Sequence, residues 1–158
     1  MADMIKIRSA TDATVSLFNS MLPIRKVWNK RGAIVPIERE KAIQLYYNSS
    51  LEKALRAGTL VIDDKEFLYE VGFYTSKEDE ENVIELTPML MEKCIGAMPV
   101  WELEKTIAKL SATQIAELAE FAITNYAKLK MDRMDLLSKV SGKNILKAIE
   151  LYKASQED

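Results

Sequence analysis

The spacing of hydrophobic and polar positions changes partway along the chain. Over the first forty residues the pattern alternates: Ile5 and Ile7 are separated by Lys6, and Val15 and Leu17 by Ser16. A period of two is what a strand shows when it buries one face. Asn19–Pro23 reads as a turn, followed by β segments at Ile24–Trp28 and Ala33–Ile37 about a short loop that contains Gly32. Their closeness predicts a hairpin. Pro36 would set the second segment at an edge or an end of the sheet, because proline has no N–H to give a ladder.

From Glu38 the period lengthens. Ala42, Ile43 and Tyr46 share one side of a helix reaching Tyr47, and Ser49-Ser50-Leu51-Glu52 reads as a capping box before a helix that stops at Gly58. Thr59–Ile62 is a compact β segment, after which Asp63 and Asp64 are placed to cap a helix over Lys65–Val71. Ser76–Glu81 reads as an acidic loop and Asn82–Leu86 as one more strand.

Beyond residue 86 every segment reads as helix. Thr87-Pro88 is an N-cap followed by proline at the first helical position, and Pro99 opens a second helix. Ser111 to Gln114 forms a capping box for a third, with Ile115, Leu118, Ala122 and Tyr126 in a stripe. Met131–Val140 and Lys143–Ala154 complete the series about a break at Ser141-Gly142, with Ile145, Ala148, Ile149 and Tyr152 on one face of the last. Strands first and helices afterwards predict an α+β protein, with a small antiparallel sheet, a hairpin and short helices followed by about five further helices. The whole is expected to be one domain, with sub-lobes 1–86 and 87–158.

Composition narrows the function. The 158 residues contain no histidine and one cysteine, Cys94. That removes Ser-His and Cys-His nucleophiles, imidazole bases and zinc sites of the thiolate or imidazole kind. It also rules out an internal disulfide, which suits a reducing compartment. Gly32, Gly58, Gly72, Gly96 and Gly142 stand singly, so no phosphate-cradling loop is present. The acidic pairs Asp63-Asp64 and Glu78–Glu81 lack the alternating oxygen ligands of a calcium loop. No catalytic, cofactor-binding or metal-binding residue is expected, and the chain reads as non-enzymatic. Met1–Arg8 does not read as a signal peptide, and no apolar run approaches the roughly 20 residues of a membrane helix. A soluble protein, neither secreted nor membrane-bound, is the expectation.

Charge is blocked along the chain although the net is −2. Residues 1–57 are basic, 58–104 strongly acidic and 105–158 mildly basic, which predicts opposed faces and partners that distinguish them. The densest local feature is Arg25-Lys26-Val27-Trp28-Asn29-Lys30-Arg31. Read functionally, Arg25, Lys26, Trp28, Lys30 and Arg31 bind a partner, with the tryptophan stacking on a base or packing on a protein. Read plainly, Trp28 anchors the core and the cations guard a sheet edge. Cys94 and the methionines at 89, 91, 98, 131 and 134 read as core filling.

The string R-K-V-W-N-K-R-G-A from Arg25, its following P-I and helix, and L-E-K-A-L-R-A-G-T-L-V-I-D to Asp63 resemble small proteins encoded by tailed bacteriophages. The stretches L-S-A-T-Q-I-A-E-L-A and L-L-S-K-V-S-G-K-N-I-L-K-A-I-E are similar to the same group. The resemblance implies a virion-associated or assembly protein that binds copies of itself or neighbouring virion proteins. It would act in the virion or in the host cytoplasm during assembly. It carries over no catalytic residue. Two alternatives stay open: a nucleic-acid-binding or regulatory protein using the basic hairpin 25–32, and an inhibitor of a host defence protein.

Overall fold

A computed structural model describes residues 3–19, 24–48 and 50–157. The chain divides into two compact units, Met1–Glu85 and Leu86–Asp158. The division falls beside the change of period in the sequence, and the class is α+β, strands and short helices first and helices after.

The first unit holds two small antiparallel sheets. One is three-stranded in the order β4 (Ile34–Glu38), β1 (Met4–Ser9), β5 (Leu60–Ile62). The other is a ribbon of β2 (Val15–Asn19) and β3 (Ile24–Trp28). The alternation works as the sequence predicts: Ile5 and Ile7 of β1, Ile37 of β4 and Leu60 and Ile62 of β5 are buried, while Lys6, Ile34 and Pro36 are exposed. Helices α1 (Arg39–Tyr47) and α2 (Ser50–Ala57) lay Ala42, Leu45, Tyr46, Leu51 and Leu55 on this core. Helix α3 (Lys65–Glu70) adds Phe67 and Leu68, and its first turn is closed by Asp64, which accepts from the Phe67 amide at 3.1 Å.

The expected hairpin does not form between residues 24–28 and 33–37. β3 pairs with β2, placing Phe18 opposite Arg25 and Leu17 opposite Lys26. β4 pairs with β1, Ile37 opposite Ile5 and Val35 opposite Ile7. The reason lies in the loop between them. Gly32, at φ +86, donates to the Ser9 carbonyl at 2.9 Å, and the Ser9 amide donates to the Ala33 carbonyl at 2.9 Å. The loop therefore docks on β1 instead of folding β4 back on β3. β4 is nonetheless an edge strand, as Pro36 requires.

Two further expectations are corrected. Ser76–Glu81 is not a loop: Ser76 caps a short helix, α4 (Lys77–Asn82), which buries no side chain. Asn82–Leu86 is not a strand, because Asn82 ends α4 and residues 83–86 join no ladder among the described residues. The apolar pattern of this stretch reflects half-burial of Ile84 and burial of Leu86. The predicted turn at Asn19–Pro23 and the capping box at Ser49 fall on residues 20–23 and 49, outside those described.

The second unit is helical. α5 (Pro88–Ile95) opens on Thr87, whose hydroxyl accepts from the Leu90 amide at 3.1 Å. α6 (Val100–Ile107) follows Pro99, and α7 (Ala112–Thr124) begins with both bonds of the predicted capping box, Gln114 N–H to Ser111 Oγ at 3.1 Å and Ser111 N–H to Gln114 Oε1 at 2.9 Å. α7 packs against α5, α8 (Met134–Ser141) and α9 (Ile145–Gln156). Of the predicted stripe, Leu118 and Ala122 are buried and Ile115 half-buried, while Tyr126 has passed into a 3₁₀ turn. Met91, Met98 and Met134 fill core as expected, but Met89 and Met131 are exposed.

Arg133 is the one charged side chain of this unit that is buried among the described residues. Its Nη1 donates to the carbonyls of Cys94 at 2.9 Å and Met98 at 2.5 Å, and its Nε to Asp132 at 3.0 Å. It closes the C-terminal end of α5, where carbonyls have no helical donor. Burial pushes the neighbouring Cys94 thiol up to about 11, so it stays protonated and unreactive at neutral pH. Replacing Arg133 by Met leaves the two carbonyls unmet and should cost about 2–4 kcal/mol in denaturant unfolding. The same variant should expose Cys94 to a thiol reagent that does not touch it in the parent protein.

Candidate functional site

In the first unit almost every arginine is used up internally. Arg8 on β1 grips Glu85 with both guanidinium nitrogens, at 2.7 and 2.8 Å, and reaches Asp63 at 3.3 Å. Its pKa is raised, first by the bond to Glu85. Arg39, in the first turn of α1, meets Glu70, Asp3 at 3.2 Å and Asp64 at 4.0 Å, with its guanidinium 5.6 Å from the centre of the Phe67 ring. Arg56 bonds Glu52 at 3.0 Å. Arg31 bonds Asp12 at 3.1 Å and donates to the Ala10 carbonyl at 2.8 Å.

These pairs reduce the expected opposition of basic and acidic faces without abolishing it. The basic block supplies Arg8 and Arg39, the acidic block supplies Asp63, Glu70 and Glu85, and folding brings them together. Linear charge blocks are not surface blocks when the sheet interleaves the strands that carry them.

The five predicted partner-binding residues separate into three kinds. Trp28 is fully buried, 0% exposed, and its indole Nε1 donates to the Ile7 carbonyl at 2.9 Å. It is a core residue, and no partner or base can reach its ring in this fold. Arg31 is tied into the loop by the two contacts above. Lys30 is exposed in that loop. Arg25 and Lys26 are exposed on β3, and neither they nor Lys30 has an ion-pair partner among the described residues.

Arg25 and Lys26 line a groove of about 280 Å³ together with Ile24, Pro36, Glu38 and Lys41. One wall is β3; the other is the free side of β4 and the first turn of α1. Lys41 stands 3.8 Å from Glu38, an exposed pair worth little. The bonds Ser9 N–H to Ala33 O and Arg39 N–H to Asp3 O set the phase of the β1–β4 ladder. By alternation, the peptide groups of Ile34, Pro36 and Glu38 face away from β1, toward the groove side. Pro36 has no N–H to offer there, so the edge is poor ground for an added strand. The groove can instead hold anionic side chains, through donor-only ammonium and guanidinium groups on an apolar floor. On the ribbon's outer face Phe18, 66% exposed, and Val27 stand beside Arg25 as exposed apolar surface.

Sequence reading missed Lys41 and Phe18. Lys41 comes near Arg25 only because β4 leaves β3 to join β1. Phe18 is exposed because the ribbon turns Leu17 inward, and alternation alone does not say which of two apolar neighbours is buried.

A second groove, about 220 Å³, runs along β5, between Val61 and the extended residues Val83–Glu85, floored by Leu68 and Phe73. It lies at the opposite edge of the three-stranded sheet from β4. Helix α4 precedes its outer wall and is held by two of its acids. Asp79 Oδ2 accepts from the Thr75 amide and hydroxyl, both at 2.7 Å, and Glu80 bonds Lys65 at 2.9 Å and the Tyr69 hydroxyl. Glu78 and Glu81 are exposed and have no ion-pair partner among the described residues. No three Asp, Glu or Cys side chains gather as a metal would require among the described residues. No helix among them is long and apolar enough to cross a membrane.

Comparison of the chain with protein families, with curated proteins and with solved structures returned no match.

The bonds that hold α4 predict its pH response. Asp79 is held below its ordinary value of 3.8, first by the Thr75 hydroxyl, and Glu80 below 4.5, first by the Tyr69 hydroxyl and then by Lys65. The same bond pushes the Tyr69 phenol up to about 12. A carboxylate depressed by folding stabilises above its unfolded pKa, and the contribution is lost as pH falls through the folded one. The ¹³Cα shifts of residues 77–82 should stay helical at neutral pH and collapse toward coil values only as acid passes below the ordinary carboxylate range. Shifts that stay helical through that range would show that the acids do not hold the helix.

Proposed function

We propose that this protein is a non-enzymatic interaction component, a structural or assembly subunit of a bacteriophage particle, that grips an acidic protein surface in the groove between β3 and β4. The observation that carries the reading is the unpaired state of Arg25. Among the described residues of the first unit, Arg8, Arg31, Arg39 and Arg56 each hold a carboxylate and Arg25 does not. Lys26 beside it is equally unpaired, and both residues border a cleft that an acidic side chain could enter, their side chains leaving β3 on opposite faces. An exposed, uncompensated guanidinium next to exposed Phe18 and Val27 is the composition of a protein-contact surface. The phage assignment draws its support from the sequence resemblance, and the lack of histidine fits a part that performs no chemistry.

Nucleic acid is the weaker occupant. The tryptophan that would have stacked on a base is the buried anchor of the ribbon, and the neighbouring arginine closes a loop.

Binding of the whole chain to the purified structural proteins of its particle, and to itself, tests the reading. R25E/K26E should weaken binding at least about tenfold, and weaken it by slowing association as well, because rim charges act on encounter. K109E, on an exposed site of the second unit, should leave binding unchanged. A parent protein that binds none of these partners, or one that binds labelled DNA with a steep salt dependence lost in R25E/K26E, contradicts the proposal.

A further inference from the structure

The groove and the unpaired acids of α4 lie at opposite edges of one sheet. β4, which walls the groove, is one edge of the order β4-β1-β5. β5 is the other, and α4 sits on that side, tied to α3 by Glu80 through Lys65 and leading into the Val83–Glu85 wall of the second groove. None of the groove's lining residues comes from α4. The basic site and the acidic element of one molecule thus occupy different edges of the same sheet.

The geometry points to head-to-tail association of this chain with itself, the Arg25–Lys26–Lys41 groove of one copy receiving Glu78 and Glu81 of α4 from the next. The inference rests on the interaction-component reading and names the partner as a second copy. Four features fit it. Glu78 and Glu81 are three apart on a helix, so their carboxylates project from one face and can enter one groove together. The other two acids of α4 are engaged internally and hold the helix in shape, so it is presented already formed. Charges match in sign: Arg25, Lys26 and Lys41 border the groove, the first two from opposite faces of β3, and Glu38 is the one acid among its lining residues. Pro36 turns the edge away from strand addition and leaves side-chain recognition as its mode of contact.

A contact between two different surfaces is heterologous. It does not end at a dimer unless rotation closes a ring, so chains or rings are the products, as an assembly subunit needs. Because the contact is made of exposed ion pairs over a small area, it should be weak and sensitive to salt.

Sedimentation velocity on the whole chain tests this with a charge exchange. At low salt and about 100 µM, concentrations where weak contacts populate, the parent protein should sediment as a concentration-dependent mixture above monomer and return to monomer near 0.5 M salt. R25E/K26E alone should be monomeric, since its reversed groove faces the acidic helix of its neighbours. E78K/E81K alone should be monomeric for the mirror reason. An equal mixture of the two should associate again, because each reversed groove then meets a reversed helix and each original groove an original one. All the substituted side chains are exposed, and circular dichroism identical to the parent would verify folding. Restored association in the mixture supports the inference, and association that ignores either variant overturns it. A parent that is monomeric throughout yet binds another particle protein through Arg25 and Lys26 overturns the inference and leaves the interaction-component reading standing. A parent that does neither removes both.

Discussion

The hydrogen bond from the Trp28 indole to the Ile7 carbonyl, made with no solvent access to the ring, decides where everything else in the first unit can go. It crosses from the two-stranded ribbon to the central strand of the three-stranded sheet and joins the two into one core. A buried tryptophan contributes several kcal/mol through its area alone, on the order of 25 cal/mol for each Å² removed from water. The indole N–H has to find an acceptor in that setting, and a strand carbonyl supplies it. With Trp28 turned inward, β3 must stay with β2. The loop after it closes onto β1, and β4 is carried across to the far side of the groove. The groove exists because the ribbon and the sheet share a tryptophan and not a ladder.

Electrostatics then follows from topology. β1 lies between β4 and β5, so Arg8 meets acids that are 55 and 77 residues away in sequence, Asp63 and Glu85. Arg39 gathers Asp3, Asp64 and Glu70 in the same manner. Such part-exposed pairs contribute little stability one by one. Their greater consequence is subtraction, since they remove most of the charge that the sequence displays in blocks. Among the charges left exposed are Arg25 and Lys26 at one edge of the sheet and Glu78 and Glu81 at the other. An interaction surface in this protein is defined by which charges the fold fails to neutralise.

Much of the architecture could be read from the chain because local chemistry dictated it. Alternation at Ile5 and Ile7, the cap at Asp64, Thr87 before Pro88 and the box at Ser111 and Gln114 each involve residues within a few positions of one another. Most of the failures were non-local. Nothing near Trp28 says that its strand pairs backward with β2 while the next strand goes to β1. Ser76 to Glu81 looked like a solvated loop because its charges repel, and the bonds to Thr75, Lys65 and Tyr69 that offset this come partly from α3. The candidate site shows the same division. Its cations were visible as a cluster, but which of them bind outward depended on burial of Trp28 and on the contacts of Arg31 with Asp12 and Ala10. Lys41 joined the site through a strand crossing that no spacing records.

The central claim is that Trp28 is a buried tie between two sheets and that the cations beside it are what the fold leaves free. Amide and indole hydrogen exchange followed by NMR addresses it directly, because the chain has two indole protons in opposite settings. Trp101 is 63% exposed, whereas Trp28 is sealed and bonded. The account predicts that the Trp28 Nε1 proton exchanges as slowly as the best-protected amides of β1, opening only when the unit unfolds, while the Trp101 proton exchanges rapidly. A Trp28 proton that exchanges as fast as that of Trp101 would contradict it, since the ring would then be open to solvent and the groove would lose the anchor that forms it.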